Sequence, residues 1–199
     1  LVWVSGLTGC AATHAYPDGT GLEGQLEREL AAQRLMLATC QEQLRSGASD
    51  DRGMYTTLVQ AFSGTEVEVS RDGASIAVSI PGRLLFTPDF QMRNESMFAL
   101  DLVATALRTD TSWRVDVEAH TSDAPLPPAI RAIWPGPWEL CYAQAWLVMR
   151  TLVDRFGVAE SRFRVTSAGT TSPLVSNDTT AGQARNERMV LILWPTESS

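Results

Sequence analysis

The sequence predicts an α/β fold, one main domain with a helical segment ahead of it. Three observations carry that expectation. Residues alternate apolar and polar on both sides of Asp72-Gly73, with Val67 and Val69 before it and Ile76, Val78 and Ile80 after it, the pattern of a β-hairpin. A second alternating run, Trp113, Val115, Val117 and Ala119, leads into a loop at His120-Thr121-Ser122-Asp123. A helical run from Trp138 to about Phe156 is then followed by a strand-like stretch, Phe163 to Ser167, and by the unbroken apolar run Met189 to Trp194.

The bulk numbers set limits. At 199 residues the chain supports one domain of ordinary size with appendages, and 44% hydrophobic content suits a packed core. A formal charge of −7 with no basic stripe argues against nucleic acid and against an anionic membrane surface as partners. Every basic residue is Arg, which has no functional reading. Three cysteines, Cys10, Cys40 and Cys141, form no disulfide framework and show no Cys/His spacing typical of zinc, so no metal or other cofactor is expected.

Residues 1–9 are apolar and far shorter than the roughly 20 residues of a spanning helix. They read as the remnant of a signal peptide. Leu7-Thr8-Gly9-Cys10 resembles a bacterial lipobox, which makes Cys10 the expected lipidation site and residues 10–19 a flexible tether. Ala11 offers no inner-membrane retention signal, so an outer membrane lipoprotein facing the periplasm is expected. His14 in the tether is read as solvated.

Thr20-Gly21-Leu22-Glu23 is a capping-box pattern that opens a helical spacer over residues 20–46. Leu30, Leu37 and Leu44 recur every seven residues, with Leu26, Gln33 and Cys40 at the offset positions. The helix either packs on its own domain or forms a parallel homodimer with Cys40 at the seam. A short helix is expected over residues 50–63, and the main domain over 64–196.

Pro81-Gly82 ends the hairpin, and Leu84-Leu85-Phe86 leads through Thr87-Pro88 to a helix capped by Asn94 or Ser96. Its apolar face includes Phe98, Leu102, Val103 and Leu107, read as core. Five prolines between Asp123 and Trp138 forbid a long helix there. Ile130, Ile133 and Trp134 in that loop either fold back over the domain or meet a partner. The helix from Trp138 is expected to bury Leu140, Trp146, Leu147, Met149, Leu152 and Val153, with Gly157 ending it. The run Met189 to Trp194 suits a central strand buried on both faces.

Three islands, Ala119 to Asp123, Trp138 to Cys141 and Asn177 to Arg188, stand in an order and spacing that resemble the OmpA-like C-terminal domain family, which includes Pal-type lipoproteins and MotB. The resemblance covers roughly residues 66–195. That family's pattern is a Gly-His-Thr-Asp loop, an Asn-x-x-Leu-Ser-x-x-Arg-Ala helix start and a terminal Asn-x-Thr-x-x-Gly-Arg-x-x-Asn-Arg-Arg-Val. Leu140, Ala145, Gly169, Pro173, Asn177, Thr179, Gly182, Asn186 and Arg188 coincide with it, and Trp138-Glu139-Leu140 suggests the MotB-like branch. The resemblance implies a βαβαβ mixed sheet with helices packed on one face, and non-covalent peptidoglycan binding.

The implied ligand-binding positions are His120, Thr121, Ser122, Asp123, Leu140, Gln144, Arg185, Asn186 and Arg188. Several depart from the family. Its loop aspartate falls on Ser122, its helix arginine on Gln144, its helix-start asparagine on Pro137, and its later arginines on Gln183 and Glu187. In the family, that aspartate and helix arginine hold the ammonium and carboxylate of a diaminopimelate side chain. Two expectations stay open: altered or weakened peptidoglycan recognition with Asp123, Arg185 or Arg188 supplying charge, or a frame that contacts envelope proteins through Ile133 and Trp134. An enzyme is not expected. His120 and Cys141 invite a Cys/His reading, but the resemblance explains His120 as loop architecture and Cys141 as a helix-start position.

Overall fold

The computed structural model describes residues 29–31, 33–35, 38 and 53–196. Expectations for residues 1–19, Cys10, the capping box at Thr20, Cys40 and Leu44 lie outside the described residues. The chain divides into two compact units, Leu1–Gly47 and Ala48–Ser199. In the first, the described residues are helical and exposed, Leu30 and Leu35 among them.

The second unit begins with helix α1 over residues 53–61, which sends Met54 and Leu58 into the core. The hairpin follows: β1 (Glu68–Asp72) and β2 (Ser75–Pro81) are antiparallel, with Asp72 opposite Ser75. Gly73 takes φ +57 in that tight turn, the left-handed region glycine enters at no steric cost. A short helix α2 (Gly82–Leu85) and helix α3 (Ser96–Thr109) lead to β3 (Trp113–His120). The proline-rich segment holds only the four-residue α4 (Pro128–Arg131). Helix α5 (Pro137–Asp154) crosses over to β4 (Phe163–Gly169), which lies parallel to β3. Parallel neighbours need such a crossover, because a tight turn can only reverse the chain. Helix α6 (Thr180–Asn186) precedes β5 (Arg188–Pro195).

The sheet is mixed and ordered β1-β2-β5-β3-β4, so the last strand inserts between two earlier ones. Register builds the core in rows across β2, β5 and β3. Ile76, Leu193 and Val115 form one row, Val78, Leu191 and Val117 the next, and Ile80, Met189 and Ala119 the third. All nine are buried. Residues directly opposite on one face are the contacting unit of a sheet. Leu100, Val103 and Leu107 of α3, and Cys141, Ala145, Val148 and Leu152 of α5, belong to the same core.

The structure corrects four local expectations. β5 is central but buried on one face only: Val190 and Ile192 are half-buried and Trp194 is 39% exposed, because the helices cover a single side of the sheet. Trp146 and Leu147 are exposed rather than buried, lying on the outer face of α5. Phe98 is 68% exposed on α3. That helix carries no side-chain cap from Asn94 or Ser96; its N-cap is Glu95, and the Ser96 hydroxyl donates to the Arg93 carbonyl instead. Of the loop residues, Ile130 folds back and is buried, Trp134 is half-buried, and Ile133 points outward.

Candidate functional site

The site begins where β3 ends. His120 pairs with Arg188 at the first residue of β5, while the ladder to β4 carries a register shift between Ala119 and His120. The Thr121 amide then donates to the Gly169 carbonyl at 2.9 Å, prolonging the β4 contact into the loop. His120, Thr121 and Ser122 are all buried as a result. They form one wall of a cleft of about 380 Å³. The rest of the lining includes Phe86, Phe90 and Arg93 of the α2–α3 connection, Pro125 and Pro127, and Gln144 of α5.

The floor depends on the turn around α6. Thr179 caps that helix, its hydroxyl accepting from the Gly182 amide at 3.0 Å. Gly182 passes so close to the preceding turn that a Cβ there would lie 2.1 Å from the Ser176 carbonyl oxygen. Asn186, fully buried, accepts from the amides of Leu174 and Val175 and donates to the Val175 carbonyl and the Asn177 side chain. These contacts bring the chain into β5 at a set position. The Gly82 amide donates to the Glu187 carbonyl at 2.7 Å, so α2 is tied to the same point.

The polar groups of the cleft are specific. The Ser122 hydroxyl donates to Glu187 Oε1 at 2.7 Å. His120 Nε2 lies 2.8 Å from Glu118 Oε1, and its Nδ1 is buried with no partner among the described residues. Burial, and secondarily the Arg188 guanidinium, push the His120 pKa down to about 4, so the ring is neutral at pH 7. The contact with Glu118 is therefore a neutral Nε2–H donating to a carboxylate, which leaves Nδ1 an acceptor. Arg188 spends its two terminal nitrogens on the carbonyls of Asn186 and Ser172, at 3.2 and 3.1 Å.

Of the residues singled out from sequence, His120, Thr121, Ser122, Gln144 and Arg188 line this cleft. Asp123 is exposed and lines the adjoining groove with Arg131 and Pro135. Arg185 is exposed on another groove, beside Glu66 and Arg83. Leu140 is fully buried, and Asn186 acts in the turn network. Ile133 and Trp134 lie apart from the cleft, with Trp138 and Tyr142. Cys141 is fully buried, and burial pushes its thiol up to about 11, which keeps it protonated at neutral pH.

Sequence reasoning missed three charged residues of the cleft, Arg83, Arg93 and Glu187. Glu187 was visible only as a departure from an arginine, and Arg83 and Arg93 carried no signal at all. Among the described residues no cluster of three potential metal ligands occurs, and no helix is long and apolar enough to cross a membrane.

Comparison with known proteins agrees with this architecture. The model of the OmpA family matches residues 86–187. Motility protein B of Helicobacter pylori is 25% identical over 167 residues, 80% of this chain and 62% of that protein. The chain thus spans less than two thirds of that relative. A MotB-like protein from Desulfovibrio vulgaris has the same fold, with a TM-score of 0.69 at 20% identity over 77% of this chain and 96% of that one. The cell wall anchor of the T6SS from Pseudomonas aeruginosa aligns with a TM-score of 0.63 and 27% identity, over 71% of this chain and 96% of that one.

Proposed function

As this chain belongs to the OmpA family, we propose that its domain over residues 64–196 associates non-covalently with peptidoglycan through the His120 cleft. The observation that carries this reading is the convergence of the first and third sequence islands with the helix that carries the second: His120, Ser122, Gln144 and Arg188 meet around one cavity although they come from β3, its loop, α5 and β5. The T6SS relative, described as a cell wall anchor, supports it. Recognition differs from the family pattern, because Ser122 and Gln144 stand where that pattern has an aspartate and an arginine. The module acts in the periplasmic cell envelope without catalysis. Cys10 carries a lipid anchor in the outer membrane, with residues 20–46 as the spacer; Cys10→Ser is expected to move the chain from the membrane to the soluble fraction.

Sedimentation with purified sacculi tests the function. The wild-type chain is expected to co-sediment and to be released by diaminopimelate-containing muropeptides. Ala124→Trp, which fills the cleft from its half-buried rim, is expected to abolish co-sedimentation at unchanged thermal stability. No co-sedimentation of the wild type would overturn the reading. A second reading then takes its place, favoured by the outward Ile133, Trp138 and Tyr142, 65%, 49% and 52% exposed: the domain holds an envelope protein on that surface.

A further inference from the structure

We infer that the aromatic groove between the α4 turn and the start of α5 binds a proline-rich peptide segment in the polyproline II conformation, with a basic residue of that segment set against Glu139. The groove shares no lining residue with the His120 cleft, so the inference stands whether or not that cleft takes peptidoglycan.

The groove has a volume of about 510 Å³ and is lined by Ile133, Trp134 and Pro135 after α4 and by Trp138, Glu139 and Tyr142 of α5. Its aromatic residues are held in place before any ligand arrives. Ile130 is buried, and the Trp134 amide donates to its carbonyl at 2.8 Å, which anchors the turn. The Trp138 ring packs on the end of β4, where a Cβ added at Gly169 would lie 3.1 Å from it. The Ser167 hydroxyl donates to the Trp138 carbonyl at 2.9 Å. Residues fixed in this way lose little freedom on binding. Trp146 continues the exposed row along α5. From Trp138 to Trp146 the helix rises about 12 Å, the length of about four residues of polyproline II.

The polar groups of the groove select the backbone of the ligand. The indole N–H groups of Trp134 and Trp138 and the Tyr142 hydroxyl have no hydrogen-bond partner among the described residues. Glu139 is the single charged residue of the lining, exposed and in no ion pair among the described residues. Three donors against one carboxylate call for a ligand rich in acceptors, poor in donors and positively charged. A helical ligand has its carbonyls bonded internally. An ordinary extended peptide brings an amide donor with every carbonyl, and a glycan brings a donor with every hydroxyl. Proline lacks the amide donor, polyproline II leaves each carbonyl free, and the pyrrolidine rings pack on aromatic faces. An arginine or lysine in the same segment then meets the Glu139 carboxylate.

Fluorescence polarisation on the full chain tests this, with a labelled Arg-Pro-Leu-Pro-Pro-Leu-Pro peptide as the probe. Saturable binding is expected, and none by about 1 mM would overturn the inference. A control peptide with alanine at each proline is expected to bind at least about tenfold more weakly, and equal binding would overturn it too. Trp138→Ala is expected to weaken the probe about tenfold or more. Tyr142→Phe, which keeps the ring and removes the donor, is expected to weaken it about threefold. Glu139→Gln is expected to lose up to about fivefold with the arginine peptide and nothing with a norleucine replacement. All three side chains are exposed, so unchanged thermal melts are expected to accompany these losses. Ala124→Trp, which fills the His120 cleft, is expected to leave peptide binding intact. Full affinity in Trp138→Ala, or binding lost in Ala124→Trp, would remove the peptide from the groove and overturn the inference. Binding of chitotriose without the peptide would assign the groove to a sugar. Self-association that Trp138→Ala abolishes, again without peptide binding, would assign it to a second copy of the chain. Either result would overturn the inference.

Discussion

One buried asparagine can satisfy four groups at once, and Asn186 does so. It accepts from two amides at 2.8 and 3.1 Å and donates twice at 2.8 Å. Asn186→Ala leaves these groups without partners in the interior, and is expected to cost about 3 kcal/mol or more by urea denaturation. His120 makes a different prediction. Its folded pKa of about 4 lies below the ordinary 6.5 because burial, and then Arg188, oppose the charged ring. Above pH 6.5 neither folded nor unfolded chain holds the proton, so stability is indifferent to it. Between 6.5 and about 4 the unfolded chain takes up a proton that the folded chain refuses. Stability is therefore expected to fall on acidification through that window, by at most about 1.4 kcal/mol per pH unit. His120→Gln should flatten this part of the pH dependence, measured as urea midpoints from pH 7 to pH 4.5.

At the scale of elements, Arg162 joins three of them. It follows the crossover helix, in the 3₁₀ turn Glu160–Arg162, and donates to the carbonyls of Trp113, Leu107 and Asp110 at 2.7, 2.6 and 3.0 Å. One planar guanidinium thus ends α3, starts β3 and sets the approach to β4, a task that suits its fixed fork of donors. Trp113, fully buried beside it, donates its indole N–H to Asp110 at 2.8 Å. Arg162→Ala strips three carbonyls of their donor and is expected to cost roughly 2–3 kcal/mol. Arg162→Lys should recover only part of that, because an ammonium reproduces the charge and not the fork. Thermal melts of the three chains decide it.

At the largest scale, the unit Ala48–Ser199 is a sheet whose described helices cover one side. That arrangement predicts a contrast within α5. Leu152, fully buried, belongs to the core between α5 and the sheet, and Leu152→Ala is expected to cost about 2–5 kcal/mol. Trp146 lies on the outer surface at 44% exposure, with the Arg150 guanidinium 6.0 Å from its ring centroid. Trp146→Gln is expected to change stability by no more than about 0.5 kcal/mol. Equal losses in the two variants, read from denaturant midpoints, would mean that the outer face of α5 is packed as well.

What the sequence determined by itself is local. The hairpin at Asp72-Gly73 and the alternation of β3 follow from periodicity and from steric limits that act within a few residues. Those features, with the island spacing, were enough to reach the family. The tertiary structure decided what depends on which distant segments meet. The apolar run Met189 to Trp194 reads the same whether one face or two are covered, and only the placement of the helices leaves its Val190 side open. Ser122 and Glu187, 65 positions apart, have no visible link in the sequence until β3 and β5 lie side by side and bring a hydroxyl to 2.7 Å from a carboxylate. Arg93 likewise becomes a cleft residue only because the α2–α3 connection folds over the β3 loop. Short-range sterics are written in consecutive residues, whereas the meeting of distant polar groups in a cavity is a property of the assembled sheet.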